Sequence, residues 1–182
     1  MKFESEVRIL EIHEEEWVKK LQEMGAVLEG EWLQKRKVYD FHPKIDNKWI
    51  RLRTNGQITT LAIKEVVDFD SIDGTRELEI EVSNFDDCAQ ILDELGYHYK
   101  SYQENKRIRY RINEIEIDLD TWPLLPTYAE IEGPSKERVE QFLKNFTFDK
   151  GKITTLDVDS IYRTIYQIDP DFKVLTFEEQ IR

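Results

Sequence analysis

The sequence is poor in cysteine. Cys88 stands alone among 182 residues, which excludes a disulfide framework and a cysteine-built zinc site. Long apolar runs are missing too. No stretch approaches the roughly 18 residues of a membrane-spanning helix, and the opening Met1-Lys2-Phe3-Glu4-Ser5-Glu6 lacks the apolar segment of a signal peptide. The seven glycines and five prolines are scattered, so no linker or low-complexity segment divides the chain. Neither a P-loop nor a Rossmann glycine signature occurs, so any phosphate has to be held by side chains. Basic residues are in deficit, 26 Lys and Arg against 38 Asp and Glu, for a net charge of −12. A field of that sign disfavours nucleic acid as a partner. The expectation is a single domain over 1–182, with 169–182 as a C-terminal extension, in a reducing cytoplasm and not on a membrane.

What the chain does have is charge, 35% of its residues, well above the average of about 25%. Helices are predicted over 14–24, 85–95, 136–146 and 158–167. The first opens on Glu14-Glu15-Glu16 and stops at Gly25, the second follows Asn84 and stops at Gly96, and the third follows Ser135. A short fifth helix is predicted from Thr176, whose spacing to Glu179 fits a capping box. Period-two alternation predicts strands over 2–12, 31–41, 48–54, 58–66, 74–82, 99–112, 114–120 and 127–133. Strands interrupted by helices, without strict alternation, point to an α+β fold whose antiparallel sheet closes into a barrel. A faint repeat runs through the chain. A shift of about 71 positions lays Glu6 on Glu77, Leu21 on Leu92, Gly25 on Gly96, Lys35-Arg36 on Lys106-Arg107 and Tyr39 on Tyr110. Two similar halves closing one sheet would produce it.

Alternate residues of a strand share a face, and here each strand carries charge of one sign on one face. Glu77, Glu79 and Glu81 lie opposite Leu78 and Ile80. Arg51 and Arg53 lie opposite Ile50 and Leu52. Arg107, Arg109 and Arg111 lie opposite Ile108 and Tyr110. Glu116, Asp118 and Asp120 lie opposite Ile117 and Leu119, and Glu130 and Glu132 opposite Ile131. A plain solvated face would mix signs, because like neighbours repel. Carboxylate clusters suit hard divalent cations and guanidinium clusters suit phosphates. The pattern fits an eight-stranded barrel with a charged interior, whose apolar outside is covered by helices. Cys88 is expected to be packed and inert, and His13, His42 and His98 show no metal spacing. Gln34-Lys35-Arg36-Lys37 reads as a local anion site rather than an RNA-binding stretch. The four tryptophans read as core or cover.

Glu4-Ser5-Glu6-Val7-Arg8 resembles the E-x-E-x-K signature of the CYTH superfamily, the triphosphate tunnel metalloenzymes. The agreement continues in order through Arg51-Leu52-Arg53, Lys64, Arg76-Glu77-Leu78-Glu79, Lys106-Arg107-Ile108-Arg109-Tyr110, Glu116-Ile117-Asp118-Leu119-Asp120 and Glu130-Ile131-Glu132. It covers about residues 1–165. The resemblance implies a tunnel enzyme of the class IV adenylate cyclase or thiamine triphosphatase kind. Arg8, Arg51, Arg53, Lys64, Arg107 and Arg109 would bind phosphates. Glu4, Glu6, Glu77, Glu79, Asp118, Glu130 and Glu132 would hold Mg²⁺ or Mn²⁺, with Glu116 in support. Arg8, Tyr39 and Lys64 would carry catalytic duties.

Two departures matter. The family's first lysine is Arg8 here, which can hold phosphate but cannot act as a base. Thr127-Tyr128 stands where a glycine is usual. A small triphosphate is the implied substrate: ATP, cyclised to cyclic AMP and pyrophosphate, or alternatively tripolyphosphate or thiamine triphosphate, hydrolysed. Tyr39, Tyr128 and Trp122 are candidates to meet the organic moiety. A non-catalytic polyphosphate-binding tunnel and a purely structural barrel are further readings. A homodimer is an expectation of the resemblance only. Residues 170–182 could form a lid, a partner strand or a surface helix.

Overall fold

The structure, a computed structural model, describes residues 1–147 and 149–182. Eight strands build it: β1 Lys2–Ile9, β2 Val27–Asp40, β3 Lys48–Thr54, β4 Thr59–Val66, β5 Thr75–Val82, β6 Ser101–Ile112, β7 Ile115–Thr121 and β8 Tyr128–Gly133. They pair in the order β2-β3-β4-β5-β1-β8-β7-β6, and β6 returns to β2. Every pairing in the ring is antiparallel, so the sheet closes on itself. The expected α+β barrel is the fold found. Its strand limits differ at a few places, most at β2, which begins at Val27 rather than at 31, with a register irregularity at Leu28/Gly30.

The repeat is real in space. The succession β1-α1-β2-β3-β4 recurs as β5-α2-β6-β7-β8, with α1 at Glu14–Glu23 and α2 at Phe85–Glu94. β1 pairs with its own counterpart β5, and β2 with β6. The remaining pairings exchange, β2·β3 for β6·β7, β3·β4 for β7·β8 and β4·β5 for β8·β1. That is a pseudo-twofold axis. Both helices end where a glycine takes a left-handed backbone, Gly25 at φ 79° and Gly96 at φ 86°. Asn84 caps α2 by accepting from the N–H groups of Asp86 and Asp87, and Ser135 caps α3 (Lys136–Leu143) by accepting from Arg138 N–H.

The apolar core sits outside the barrel wall. Alternation turns Val7, Ile9, Ile117, Leu119 and Ile131 outward, onto Leu21 of α1 and Val139 and Phe142 of α3. Ile50 and Leu52 meet Ala89 and Leu92 of α2 in the same way. Cys88 sits half-buried beside this second cluster, and burial raises its thiol pKa.

After α3 the chain returns to the barrel. β9 (Ile153–Thr154) pairs with the end of β1. Asp157 caps a helical turn, α4 (Val158–Ser160), that runs on into a wider turn at Ile161–Ile165. β10 (Val174–Leu175) then joins the start of β6 in parallel, and β11 (Gln180–Ile181) folds back on it. The helix predicted from Thr176 is not there. Thr176 and Glu179 do bond, Glu179 N–H to Thr176 Oγ1 at 2.9 Å and Thr176 N–H to Glu179 O at 2.8 Å. The bonds close a hairpin turn, with no apolar run behind it to continue a helix. The tail thus adds two short strands to the chain's own sheet. Ile161, Tyr162, Phe172 and Leu175 pack on Leu10, Trp122, Leu125 and Tyr128 and cover part of one barrel end.

Candidate active site

The inward half of each strand lines a cavity of about 680 Å³, large enough for a nucleotide-sized ligand. Its walls are charged, and ion pairs link them. Arg8 reaches Glu130 at 2.6 Å and Glu6 at 3.1 Å, and donates to Leu156 O at 2.9 Å. Lys64 lies 2.9 Å from Glu4 and 3.6 Å from Glu77. Arg51 bonds Glu77 at 2.8 Å and Glu79 at 3.1 Å, and Arg53 lies 3.4 Å from Glu79. Arg107 is gripped by Asp120 at 2.7 and 2.5 Å, Asp118 at 2.5 Å and Glu130 at 3.3 Å. Arg109 holds Asp118 through two bonds and Glu116 at 2.7 Å. All the expected phosphate and metal residues therefore converge on one interior.

Tyr39 does not. It faces outward into the cluster beneath α2, and its hydroxyl is buried without a partner among the described residues. Its inward neighbours are Val38 and Asp40. A one-residue change of face moves a side chain across the sheet, and the family role expected of Tyr39 has no residue in that place. Tyr128 and Trp122 are inward and buried, with the indole N–H donating to the Tyr128 hydroxyl at 2.9 Å. Trp49, read as cover, lines the cavity with the Lys44–Lys48 loop. Arg36, within the stretch read as a local anion site but not singled out there, lines the cavity, and so does Asp120, absent from the expected metal and phosphate residues. The repeat could have found Arg36 and corrected Tyr39. It lays Arg36 on inward Arg107 and Tyr39 on Tyr110, which is an outward core residue.

The pseudo-twofold also sorts the charges. In β6·β7, Arg107 faces Asp120 and Arg109 faces Asp118. In the equivalent β2·β3 pair, Arg36 faces Arg53 and Val38 faces Arg51. Arg53 and Arg51 thus hold the places of Asp120 and Asp118. By the same symmetry Lys64, opposite Trp49, holds the place of Glu132, opposite Glu116. One half of the wall is made basic where the other is acidic.

On the acidic side Glu6, Glu132 and Glu116 stand in one cross-strand row, Glu6 opposite Glu132 and Glu132 opposite Glu116. Burial, reinforced by Glu6, Glu116 and Glu130, pushes the Glu132 carboxyl up to about 7. Burial also pushes Glu4 up to about 9, against the pull of Lys64. Burial acts in the same direction on Glu77 and Glu130, but the facing cations win: Arg51 and Lys64 hold Glu77 down to about 2, and Arg8 and Arg107 hold Glu130 well below the carboxylate range. As the side chains stand, no three acidic, imidazole or thiol groups among the described residues form a ready metal cage. Glu6 and Glu116 are instead turned to arginines. The donor set itself fits a hard divalent cation, being all oxygen and crowded with like charge. Glu132 makes no ion pair among the described residues. Glu4, Glu6, Glu132 and Glu116 are the residues that could hold Mg²⁺ or Mn²⁺.

Comparisons with known proteins agree with this geometry. The CYTH domain profile matches residues 7–165. No curated protein matches the chain significantly. Among solved structures, a candidate adenylate cyclase from Vibrio parahaemolyticus superposes with a TM-score of 0.77 at 16% identity, over 90% of this chain and 99% of that one. The PH1012 protein from Pyrococcus horikoshii OT3 gives 0.73 at 18% identity, over 85% and 96%. A candidate adenylyl cyclase from Hippeastrum, described with a dominant triphosphatase activity, gives 0.58 at 18%, over 90% and 96%. At these identities the likeness is one of fold.

Proposed function

Because the chain belongs to the CYTH domain family, we propose that it is a divalent-metal-dependent enzyme acting on a small triphosphate, with ATP cyclisation to cyclic AMP and pyrophosphate as its reaction. The observation that carries the reading is the separation of sign across one closed interior. Basic side chains gather on β2, β3 and β4, and a crowded acidic row gathers on β1, β8 and β7. A polyanion that brings its own cation neutralises both sides at once.

The residues divide the work. Arg51, Arg53 and Lys64 on one wall and Arg107 and Arg109 on the other bind phosphoryl oxygens and take up the charge that develops on the leaving pyrophosphate. Glu4, Glu6, Glu132 and Glu116 hold the metal, with Glu77, Glu79, Asp118 and Glu130 orienting the cationic residues. A bound Mg²⁺ or Mn²⁺ supplies Lewis-acid polarisation of phosphoryl oxygen and of the attacking hydroxyl. The placement of Tyr39 and Arg8 favours cyclisation over hydrolysis. Tyr39 is outside the tunnel and Arg8 is fixed by Glu130, Glu6 and Leu156, so neither is free to position a water. Cyclisation needs none, since the nucleophile is the substrate's own 3′-hydroxyl. Trp49 and the Lys44–Lys48 loop at the mouth offer a surface for the organic moiety. A reducing, cytoplasmic site of action accompanies this reading, in keeping with the free Cys88.

The test is product identification. Purified protein is incubated with Mn²⁺ or Mg²⁺ and, separately, ATP, tripolyphosphate and thiamine triphosphate, and the products are resolved by chromatography. Cyclic AMP with pyrophosphate is the expected result. Orthophosphate from tripolyphosphate or thiamine triphosphate would replace the cyclase by a triphosphatase, the activity described for the Hippeastrum protein. No product from any of them, with binding retained, would make the tunnel a binding module.

A further inference from the structure

Arg36 differs from the other tunnel arginines. Arg8, Arg51, Arg53, Arg107 and Arg109 each have a carboxylate within ion-pair distance. Among the described residues Arg36 has none. Its guanidinium donates to the amide oxygens of Asn105 at 2.5 Å and Gln34 at 3.3 Å, and lies 4.4 Å from the Trp122 ring centroid. The Asn105 amide links the guanidinium onward to Asp120, to which the amide donates at 3.1 Å. Arg36 is 7% exposed, and its Nε is buried with no acceptor.

Its neighbours make the charge harder to carry. Arg53 stands directly opposite in the β2·β3 register, a like-charge juxtaposition that costs stability. Burial, with the charges of Arg51, Arg53 and Arg107, lowers the Arg36 guanidinium to about 9, and burial with Arg51 and Arg107 lowers Arg53 to about 10. The symmetry-equivalent Arg107 meets Asp120 at the place where Arg36 meets Arg53. A fold that can supply an aspartate there and supplies a second arginine, itself shared with Glu79, has left Arg36 to be neutralised from outside.

We propose that Arg36 and Arg53 together form an anion subsite, in which one phosphoryl group of the ligand bridges the two guanidiniums, with Trp122, Gln34 and Asn105 holding Arg36 in place. The proposal rests on the triphosphate reading of the tunnel and adds to it a phosphate-binding residue on β2. Guanidinium stays protonated, so its demand is for an anion rather than for loss of a proton, and phosphate answers it with charge-assisted bonds.

The experiment uses the full chain, in EDTA and again with Mn²⁺, comparing wild type with Arg36→Gln and Arg36→Lys. Calorimetric titration with tripolyphosphate and with orthophosphate is paired with the melting temperature of the ligand-free protein. The expected result for Arg36→Gln is an unchanged or raised melting temperature, because a buried uncompensated charge is gone, and tripolyphosphate affinity weakened tenfold or more. Arg36→Lys, which keeps the charge, recovers most of that affinity. Equal tripolyphosphate affinity in wild type and Arg36→Gln would overturn the proposal and leave the triphosphate reading standing. So would lost affinity that Arg36→Lys does not restore, since Arg36 would then be a structural prop on Trp122. If wild type binds orthophosphate but not tripolyphosphate, and Arg36→Gln abolishes it, the subsite stands and the triphosphate reading fails. Binding of neither anion under either condition overturns both.

Discussion

Replacing Arg107 by methionine keeps most of the side chain's volume and removes its charge. The guanidinium is buried and holds Asp120, Asp118 and Glu130 at 2.5–3.3 Å. Without it Asp120, buried, has no cation within ion-pair distance among the described residues, while Glu130 keeps Arg8 and Asp118 keeps Arg109. Removing one partner of a buried ion pair costs about 3–5 kcal/mol. For a chain of this length each kcal/mol corresponds to about 2–4 °C, so the melting temperature falls by about 6–20 °C. Scanning calorimetry in EDTA at pH 7.5, checked by urea unfolding, measures it. The loss has a pH signature. Burial raises the Asp120 carboxyl and Arg107 opposes it, so in the variant the folded chain binds a proton on Asp120 at a pH where the unfolded chain has lost it. The deficit against wild type therefore narrows as pH falls from 7.5 towards 5. Mn²⁺ also recovers more stability in the variant than in wild type, since a cation can replace the missing one. A loss below about 1 kcal/mol, or a deficit independent of pH, would refute the reasoning. Either result would mean that the aspartates are solvated and do not depend on Arg107.

Three further outcomes are expected. The metal-free protein loses stability as pH rises from about 4.5, through the raised Glu132 carboxyl at about 7 and on to the Glu4 carboxyl at about 9, because the folded chain must surrender protons that the unfolded chain has already lost; Glu132→Gln reduces the slope between about 4.5 and 7 and leaves the Glu4 part, in a pH series of urea unfolding curves. In calorimetric titration the same substitution weakens Mn²⁺ binding at least tenfold, as loss of one carboxylate from an oxygen-ligand set should. Tyr39→Phe removes a hydroxyl that is buried without a partner among the described residues, so turnover stays within twofold of wild type and stability is unchanged or rises by about 1 kcal/mol; a hundredfold loss of turnover would place Tyr39 back in the chemistry.

Much of this was legible in the sequence because a barrel wall has two chemically different faces. Wherever charge alternates with Ile, Leu or Val, as in Glu77–Val82 or Glu116–Leu119, a period of two names both the strand and the inward side. β2 breaks that signal. In Gln34-Lys35-Arg36-Lys37 basic residues stand on both faces, so Arg36 is hidden among residues that point to solvent. In Val38-Tyr39-Asp40 an aromatic that resembles a tunnel residue is one position out of phase. The repeat carried the missing phase, since Arg107 and Tyr110 lie on a strand that alternates cleanly. Cross-strand register is what no local pattern gives. That Arg36 meets Arg53 while Arg107 meets Asp120 depends on pairings 13 to 17 positions apart. The Thr176 turn shows the opposite limit. A capping motif fixes two hydrogen bonds, and the residues after it decide whether a helix or a hairpin follows.

The central claim is that the charged interior exists to hold a triphosphate. Titrating tripolyphosphate into the full-length protein with and without Mn²⁺, and following the melting temperature in parallel, tests it most directly. One ligand per chain, displaced by ATP, with about 2.7 kcal/mol of stabilisation at a hundred times Kd and hence a shift of about 5–11 °C, is the predicted result. No heat and no shift under either condition would contradict it. The opposed strands would then be satisfying one another, and the tunnel would be a structural interior rather than a site.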